Sequence, residues 1–173
     1  MNETDILNFL YAILPSIVVG LVAFYFFHTY SKNEENRRRF LMLRENRKTS
    51  LPIRLQAYER LALFLERISP GKILFRVKAN SEDPHLYASL LIGTIEQEFE
   101  HNLAQQIYVS NECWDYVKTS KNATISLIRK ASSRENISSP DQLREVILKS
   151  LMDKQAPTDA GLSYIKKEVR SLI

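Results

Sequence analysis

Residues 6–27 read ILNFLYAILPSIVVGLVAFYFF, and this stretch decides the architecture of the chain. Apart from two tyrosines, only Asn8 and Ser16 interrupt it with hydrogen-bonding side chains. A helix that rises about 1.5 Å per residue crosses about 33 Å over such a stretch, which is enough to span a bilayer. A soluble core helix normally has a polar stripe, and a signal peptide begins with positive charge, whereas this chain begins with Glu3 and Asp5. We therefore predict a retained transmembrane helix over residues 6–28.

The charges on the two sides of this helix indicate its orientation. The preceding residues 1–5 contain no Lys or Arg, whereas residues 32–54 contain eight against three Glu, a net charge of +5. Positively charged segments stay on the cytoplasmic side of a membrane. We therefore expect residues 1–5 to form a short tail outside the cytoplasm and everything after the span to lie inside. The single cysteine, Cys113, fits a reducing compartment, because it has no internal disulfide partner.

The same basic residues account for most of the positive charge of the chain, which is +4 overall. Residues 55–173 contribute only +1, from 16 basic and 15 acidic side chains. We therefore predict that residues 29–49 form a charged juxtamembrane stalk helix in contact with anionic lipid headgroups. A contact with RNA, DNA or the ribosome through this stalk is the alternative. The predicted lipid-facing residues are Lys32, Arg37, Arg38, Arg39, Arg44, Arg47 and Lys48.

The remaining residues, 50–173, are predicted to form one compact cytoplasmic domain of about five helices, so the fold class is all-α. Thr49 and Ser50, followed by Pro52, are typical of a helix start, and they predict a new helix up to Ile68. Ser69-Pro70-Gly71 then ends that helix. Residues 73–77, ILFRV, have a β-like composition without a partner strand and are interpreted as an extended connector.

Three further helices are predicted from their start signals and apolar spacing. Ser81 to Pro84 opens a long helix whose apolar residues recur every four positions as far as Ile107. Ser110 caps a helix over residues 111–131, and Ser139-Pro140-Asp141-Gln142 resembles a capping box that opens a helix to about Lys154.

The last helix begins near Pro157, and its apolar stripe consists of Leu162, Ile165, Val169 and Leu172. Docking of this stripe on the domain is the default expectation. Because the helix is terminal and amphipathic, the stripe is also a candidate surface for a protein partner or for the membrane.

Few residues suggest chemistry. Glu98 and His101 have the Glu-x-x-His spacing of carboxylate-bridged metal sites, but those sites need a second such motif and further glutamates. We expect His101 to pair with Glu98 or to cap local backbone. Cys113 has no recognisable catalytic partners, and four glycines leave little material for a phosphate-binding loop. We therefore expect no metal, no cofactor and no enzymatic activity.

Four segments are distinctive: LPIRLQAYERL at residues 51–61, ERISP at 66–70, EFEHNL at 98–103 and QQIYVS at 105–110. In these segments the chain resembles a family of unknown function that comprises small single-span membrane proteins of Bacteroidota. The resemblance implies a bacterial inner membrane and supplies no catalytic residues.

The function favoured by these features is a membrane-anchored adaptor or accessory subunit that binds a protein partner at the cytoplasmic face of that membrane. The partner is another protein, a larger membrane assembly or a second copy of the chain. Ser16 and Gly20, four residues apart, would allow another transmembrane helix to pack closely. The alternatives are the nucleic-acid or ribosome contact described above and, third, an enzyme without a recognisable motif.

Overall fold

All regular secondary structure in the described part of the chain is helical. The computed structural model describes residues 3–152 and 155–172, without the side chains of residues 3–12, 36, 46 and 47. The prediction of an all-α fold is confirmed. The elements are α1 (Glu3–Ile68), α2 (Pro70–Arg76), α3 (Pro84–Glu100), a 3₁₀ helix (Leu103–Ile107), α4 (Asn111–Ser132), α5 (Pro140–Met152) and α6 (Asp159–Leu172).

The chain divides into two compact units, one up to Thr49 and one from Ser50 onward. The first unit consists of the N-terminal part of α1. This helix is long and apolar enough to cross a membrane. Its apolar 18-residue window has a mean hydropathy of 1.7, and 0% of that window is buried. The described side chains of the first unit are exposed, apart from the half-buried Ile13 and Glu34.

The predicted start of a new helix at residues 49–52 is wrong, because α1 continues through these positions. The Thr49 hydroxyl does not cap a helix N-terminus but donates to the carbonyl oxygen of Glu45 at 3.1 Å. Threonine inside a helix commonly bonds back to the preceding turn in this way. Pro52 removes one helical N–H, but its fixed φ is compatible with the helical conformation.

The core of the second unit is built from apolar side chains of all six helices. In α1, α3, α4 and α5 these residues recur mainly at steps of three and four, so they lie on one face of each helix. Burying one such side chain contributes about 1.5–3 kcal/mol, which makes this core the main source of stability. The largest fully buried side chains are Tyr58, Leu61, Phe64, Leu65, Ile68, Ile73, Tyr87, Leu91, Ile95, Ile128, Leu143 and Ile147.

The interpretation of residues 73–77 as an extended connector is wrong, because most of them belong to α2. Pro70 occupies the start of this helix, where its fixed φ is favourable and its missing N–H costs nothing. Ile73 and Leu74 are buried in the core, so tertiary packing outweighs the β-like composition of the segment. Only Val77, which follows the helix, has extended backbone angles.

The long helix predicted as far as Ile107 ends earlier, at Glu100. The Asn102 side chain donates to the carbonyl oxygen of Glu98 at 2.8 Å, where a continuing helix would place a backbone N–H. The chain then forms the 3₁₀ helix. Leu103 and Ile107, which belong to the predicted row of apolar residues four positions apart, are therefore 40% and 72% exposed.

The predicted starts of the last three helices are confirmed. The Ser110 hydroxyl accepts from the backbone N–H of Cys113 at 3.0 Å. At the start of α5, the Gln142 side-chain oxygen accepts from the backbone N–H of Ser138 at 2.8 Å, one residue before the expected partner. Lys154, where α5 was expected to end, lies outside the described residues. The central helix is α4, which packs against α3, α5 and α6.

Candidate binding surface

A cleft of about 600 Å³ lies between α2 and α5. Its lining combines apolar side chains with two cationic ones and contains no carboxylate among the described residues. Binding sites for peptides and small molecules typically combine an apolar surface with a few polar groups in this way. The lining residues are Gly71, Leu74, Phe75, Lys78, Ala79, Arg144 and Leu148.

Among the described residues of this unit, Phe75 is the most exposed large apolar one, at 89%. Its exposure follows from the geometry of α2, because Ile73 and Leu74 fix the buried face and the next position turns away from it. Leu148 on α5 is 46% exposed, and Met152, one turn further along the same helix, is 84% exposed. Large apolar side chains that cluster on a surface are typical of interaction sites.

Arg144 is held in place at the edge of this cleft by three different groups. Its Nε donates to the Tyr87 hydroxyl at 2.9 Å, one terminal nitrogen lies 3.1 Å from Asp141, and the other lies 3.5 Å from the carbonyl oxygen of Val77. The guanidinium carbon also lies 5.0 Å from the centre of the Tyr87 ring. The hydrogen bond to Tyr87 raises the pKa of Arg144 further above its usual value, so the group is always charged.

The second cation of the cleft, Lys78, is exposed and belongs to the segment that joins α2 to α3. Among the described residues, no carboxylate lies within 4.0 Å of its amino group. Lys78 and Arg144 therefore give the cleft a net positive charge next to an apolar surface.

A second polar cluster surrounds Glu168 of α6. Its carboxylate accepts from the Tyr58 hydroxyl at 2.7 Å and from the Ser110 hydroxyl at 2.9 Å. Arg54 extends the cluster, because one of its nitrogens donates to the Tyr58 hydroxyl at 3.3 Å. Burial, followed by the hydrogen bond to Glu168, raises the pKa of Tyr58 to about 12. The cluster ties three helices together, since its members lie in α1, α6 and the cap of α4.

Cys113 is fully buried next to this cluster. Burial, reinforced by the negative charge of Glu168, raises the pKa of its thiol to about 12. The thiol is therefore protonated at neutral pH, and a protonated thiol is a poor nucleophile.

Glu98 does not pair with His101, so that part of the sequence interpretation is wrong. It bridges two arginines, at 2.5 Å from a terminal nitrogen of Arg67 and 2.7 Å from one of Arg76. The hydrogen bonds from Arg67 dominate and lower the pKa of Glu98 below its usual value. His101 is exposed at the end of α3, where its backbone N–H donates to Gln97. In the described part of the chain, no group of three or more His, Cys, Asp or Glu is placed to hold a metal ion.

The comparison with known protein families supplies one match. The profile of a family described as "Family of unknown function (DUF7935)" covers residues 4–172. The chain belongs to the DUF7935 family. The resemblance to a family of unknown function is thereby confirmed, and the match includes both units. No curated protein and no solved structure shows a significant match to this DUF7935 chain.

The apolar stripe of α6 faces the domain in this structure. Ile165 is 4% exposed within the core, and the half-buried Leu162, Val169 and Leu172 pack against it. These residues would contact a partner only if α6 left the domain, so that role stays a prediction.

The predicted basic and span-packing residues of the first unit are exposed, apart from Arg47, whose side chain lies outside the described residues. Arg38 forms an ion pair with Glu34 at 3.2 Å. The Ser16 hydroxyl donates to the carbonyl oxygen of Ile13 at 2.6 Å, and a Cβ at Gly20 would meet no other atom within 4 Å.

Sequence reasoning did not identify Phe75, Lys78 or Arg144 as site residues. The interpretation of residues 73–77 as extended concealed which side chains of that segment turn outward. One signal was present, because residues 70–80 contain three basic and no acidic side chains in a nearly neutral domain.

Proposed function

We propose that this DUF7935 chain is a membrane-anchored adaptor or accessory subunit whose second unit binds a protein partner through the α2–α5 cleft. The anchor is the apolar part of α1, and the bacterial inner membrane is its proposed location, with the second unit in the cytoplasm. The single observation that carries the proposal is the 89% exposure of Phe75 at the edge of the cleft.

Physical chemistry supports a protein partner for such a surface. Aromatic residues are enriched in the centres of protein interfaces, where they fill apolar pockets and dominate the binding energy. Leaving Phe75 in water forgoes about 1.5–3 kcal/mol that its burial would provide. A partner that covers the cleft would recover this energy together with that of Leu148.

Photo-cross-linking in intact cells tests the proposal. A photoreactive phenylalanine derivative replaces Phe75 in the full chain, and in a matched control it replaces Leu86 of α3, which is 56% exposed. We expect one discrete cross-linked protein from position 75, which also co-purifies with the wild-type chain in mild detergent. Equal cross-linking from both positions, or none from position 75, would contradict the proposal.

A further inference from the structure

We propose that the occupant of the α2–α5 cleft is an acidic peptide segment of the partner, with a large apolar side chain against Phe75 and a carboxylate beside Lys78 and Arg144. This inference rests on the proposed function and specifies the chemistry of the partner.

The cleft is a positive site in an otherwise balanced domain. Residues 55–173 carry a net charge of only +1, yet Lys72, Arg76 and Lys78 follow one another in residues 70–80 without an acidic neighbour. Two of these cations are already paired, Lys72 with Glu66 and Arg76 with Glu98, which Arg76 shares with Arg67. The positive charge that faces the cleft therefore comes from Lys78 and Arg144. A partner that contributed a cation here would be repelled, and one that contributed a carboxylate would be attracted.

Arg144 is preorganised to receive a carboxylate. Three of its N–H groups are used by Tyr87, Asp141 and Val77. A guanidinium has about five N–H donors, so about two remain for a ligand. Because the side chain is already fixed, it loses little conformational entropy on binding. Asp141 competes weakly for the charge, since its side chain is 88% exposed and an ion pair of that kind is well screened.

The apolar part of the cleft fits a side chain rather than a nucleic-acid backbone. Leu74, Phe75 and Leu148 line it, and the absence of a side chain at Gly71 leaves space, because a Cβ there would meet no atom within 4 Å. Nucleic acid binds mainly through a row of phosphate contacts, which requires more cations than the two in this cleft.

Selection from a displayed library of random 16-residue peptides tests both the docking function of the cleft and its specificity for acidic peptides. The bait is the full chain in lipid nanodiscs, and the same selection is run against the Phe75→Asp variant. Phe75 is exposed, so this substitution leaves the core intact. We expect peptides enriched on the wild-type chain alone that combine an aromatic or leucine residue with a net negative charge. Enrichment of neutral or basic peptides would overturn the acidic specificity while leaving the docking function standing. If no peptide is enriched on the wild-type chain relative to Phe75→Asp, the docking function itself is overturned.

Binding measurements on the selected peptides then test the named residues. Lys78→Glu should weaken binding at least tenfold, whereas Lys78→Arg should stay within twofold of wild type. Lys130→Glu is the matched control, because Lys130 is exposed on α4 and its substitution changes the net charge equally. An equal loss in Lys78→Glu and Lys130→Glu would show nonspecific attraction and overturn the proposal.

Gly71→Leu fills the cleft without touching its charges, and it should abolish binding without lowering the unfolding midpoint. Full binding by this variant would place the peptide elsewhere and overturn the proposal. A 20-nucleotide oligouridine RNA is tested in parallel. Binding of this RNA that is lost in Lys78→Glu would assign the cleft to nucleic acid and would also overturn it.

Discussion

Gly161 of α6 lies so close to Ser120 of α4 that a Cβ on residue 161 would come within 2.7 Å of the Ser120 hydroxyl oxygen and 2.8 Å of a methyl group of Leu65. The second unit therefore depends on a position without a side chain where α6 crosses α4. We expect Gly161→Ala to lower the free energy of unfolding by about 1–3 kcal/mol, as overpacked sites do. Denaturant unfolding followed by the fluorescence of Trp114, the single tryptophan, measures this change.

Gly93→Ala is the matched control for this substitution. Gly93 lies in the middle of α3, and a Cβ there would meet nothing within 4 Å. Alanine is favoured over glycine in a helix by about 1 kcal/mol, so this variant should be more stable than wild type. Destabilisation of both variants by the same amount would contradict the close approach at Gly161.

Thr158, just before α6, is fully buried, and its hydroxyl has no hydrogen-bond partner among the described residues. A buried polar group without a partner costs about 1–3 kcal/mol, and valine has nearly the same shape without the hydroxyl. Thr158→Val should therefore raise the free energy of unfolding. Thr124 is equally buried, but its hydroxyl donates to the carbonyl oxygen of Ser120 at 2.9 Å. The free energy of unfolding of Thr124→Val should be lower than that of Thr158→Val by about 1 kcal/mol. The opposite order would contradict the absence of a hydrogen-bond partner for the Thr158 hydroxyl among the described residues.

The stability of the second unit should fall in alkaline solution. The pKa values of Tyr58 and Cys113 are both raised to about 12 in the folded chain, from ordinary values of 10.0 and 9.0. The unfolded chain thus releases these protons at lower pH than the folded chain, and alkali favours unfolding. Their stabilisation is fully present below pH 9 and is lost between pH 9 and 12.

Urea midpoints measured from pH 7 to pH 11 check this expectation. Cys113→Ala should flatten the fall of the midpoint above pH 9 and Tyr58→Phe above pH 10, because each removes one titrating group, and both should lower the midpoint at pH 7. Tyr25→Phe, in the first unit, is the control and should retain the wild-type slope. A slope unaffected by both core substitutions would refute the buried location of these groups.

The basic residues of the first unit should bind anionic lipid more strongly than nucleic acid. A peptide of residues 29–49 is expected to bind vesicles of anionic phosphatidylglycerol, because each basic residue near such a surface contributes about 1 kcal/mol. Replacing Arg37, Arg38 and Arg39 with Ser should weaken vesicle binding by about 100-fold. Stronger binding of the wild-type peptide to RNA than to the vesicles, with steep salt dependence, would favour the nucleic-acid alternative.

The orientation of α1 is open to a reporter test. Because positive segments remain in the cytoplasm, a green fluorescent protein fused after residue 172 should fluoresce in bacterial cells. Alkaline phosphatase, which is active only outside the cytoplasm, should be inactive at the same position. The reverse pair of results would overturn the proposed topology.

Helix starts were predictable from the sequence because their causes are local. Ser110 and the Ser139-Pro140 pair carry their own cap or first-turn geometry, so spacing alone located α4 and α5. The same reasoning failed at Thr49, where a similar side chain lies inside a continuous helix. Whether such a residue caps or continues a helix depends on the turn before it.

The candidate site was not predictable, because it depends on contacts distant in sequence. Ile73 and Leu74 form a helix in a segment of β-like composition because the core buries them. Arg144 and Val77, separated by 67 residues, meet only after α5 packs beside α2. Likewise Glu98 accepts hydrogen bonds from Arg67, 31 residues earlier, and not from the nearby His101.

The contact between Tyr58 and Glu168 also orders events during synthesis. The two residues are separated by 110 positions, so at about 10 residues per second Tyr58 waits about 10 s for its acceptor. During that interval the apolar part of α1 has already left the ribosome, whereas the second unit still lacks its closing helix. In the proposed topology, the anchor therefore reaches the membrane before α6 completes the second unit, and a partner meets the folded second unit only there.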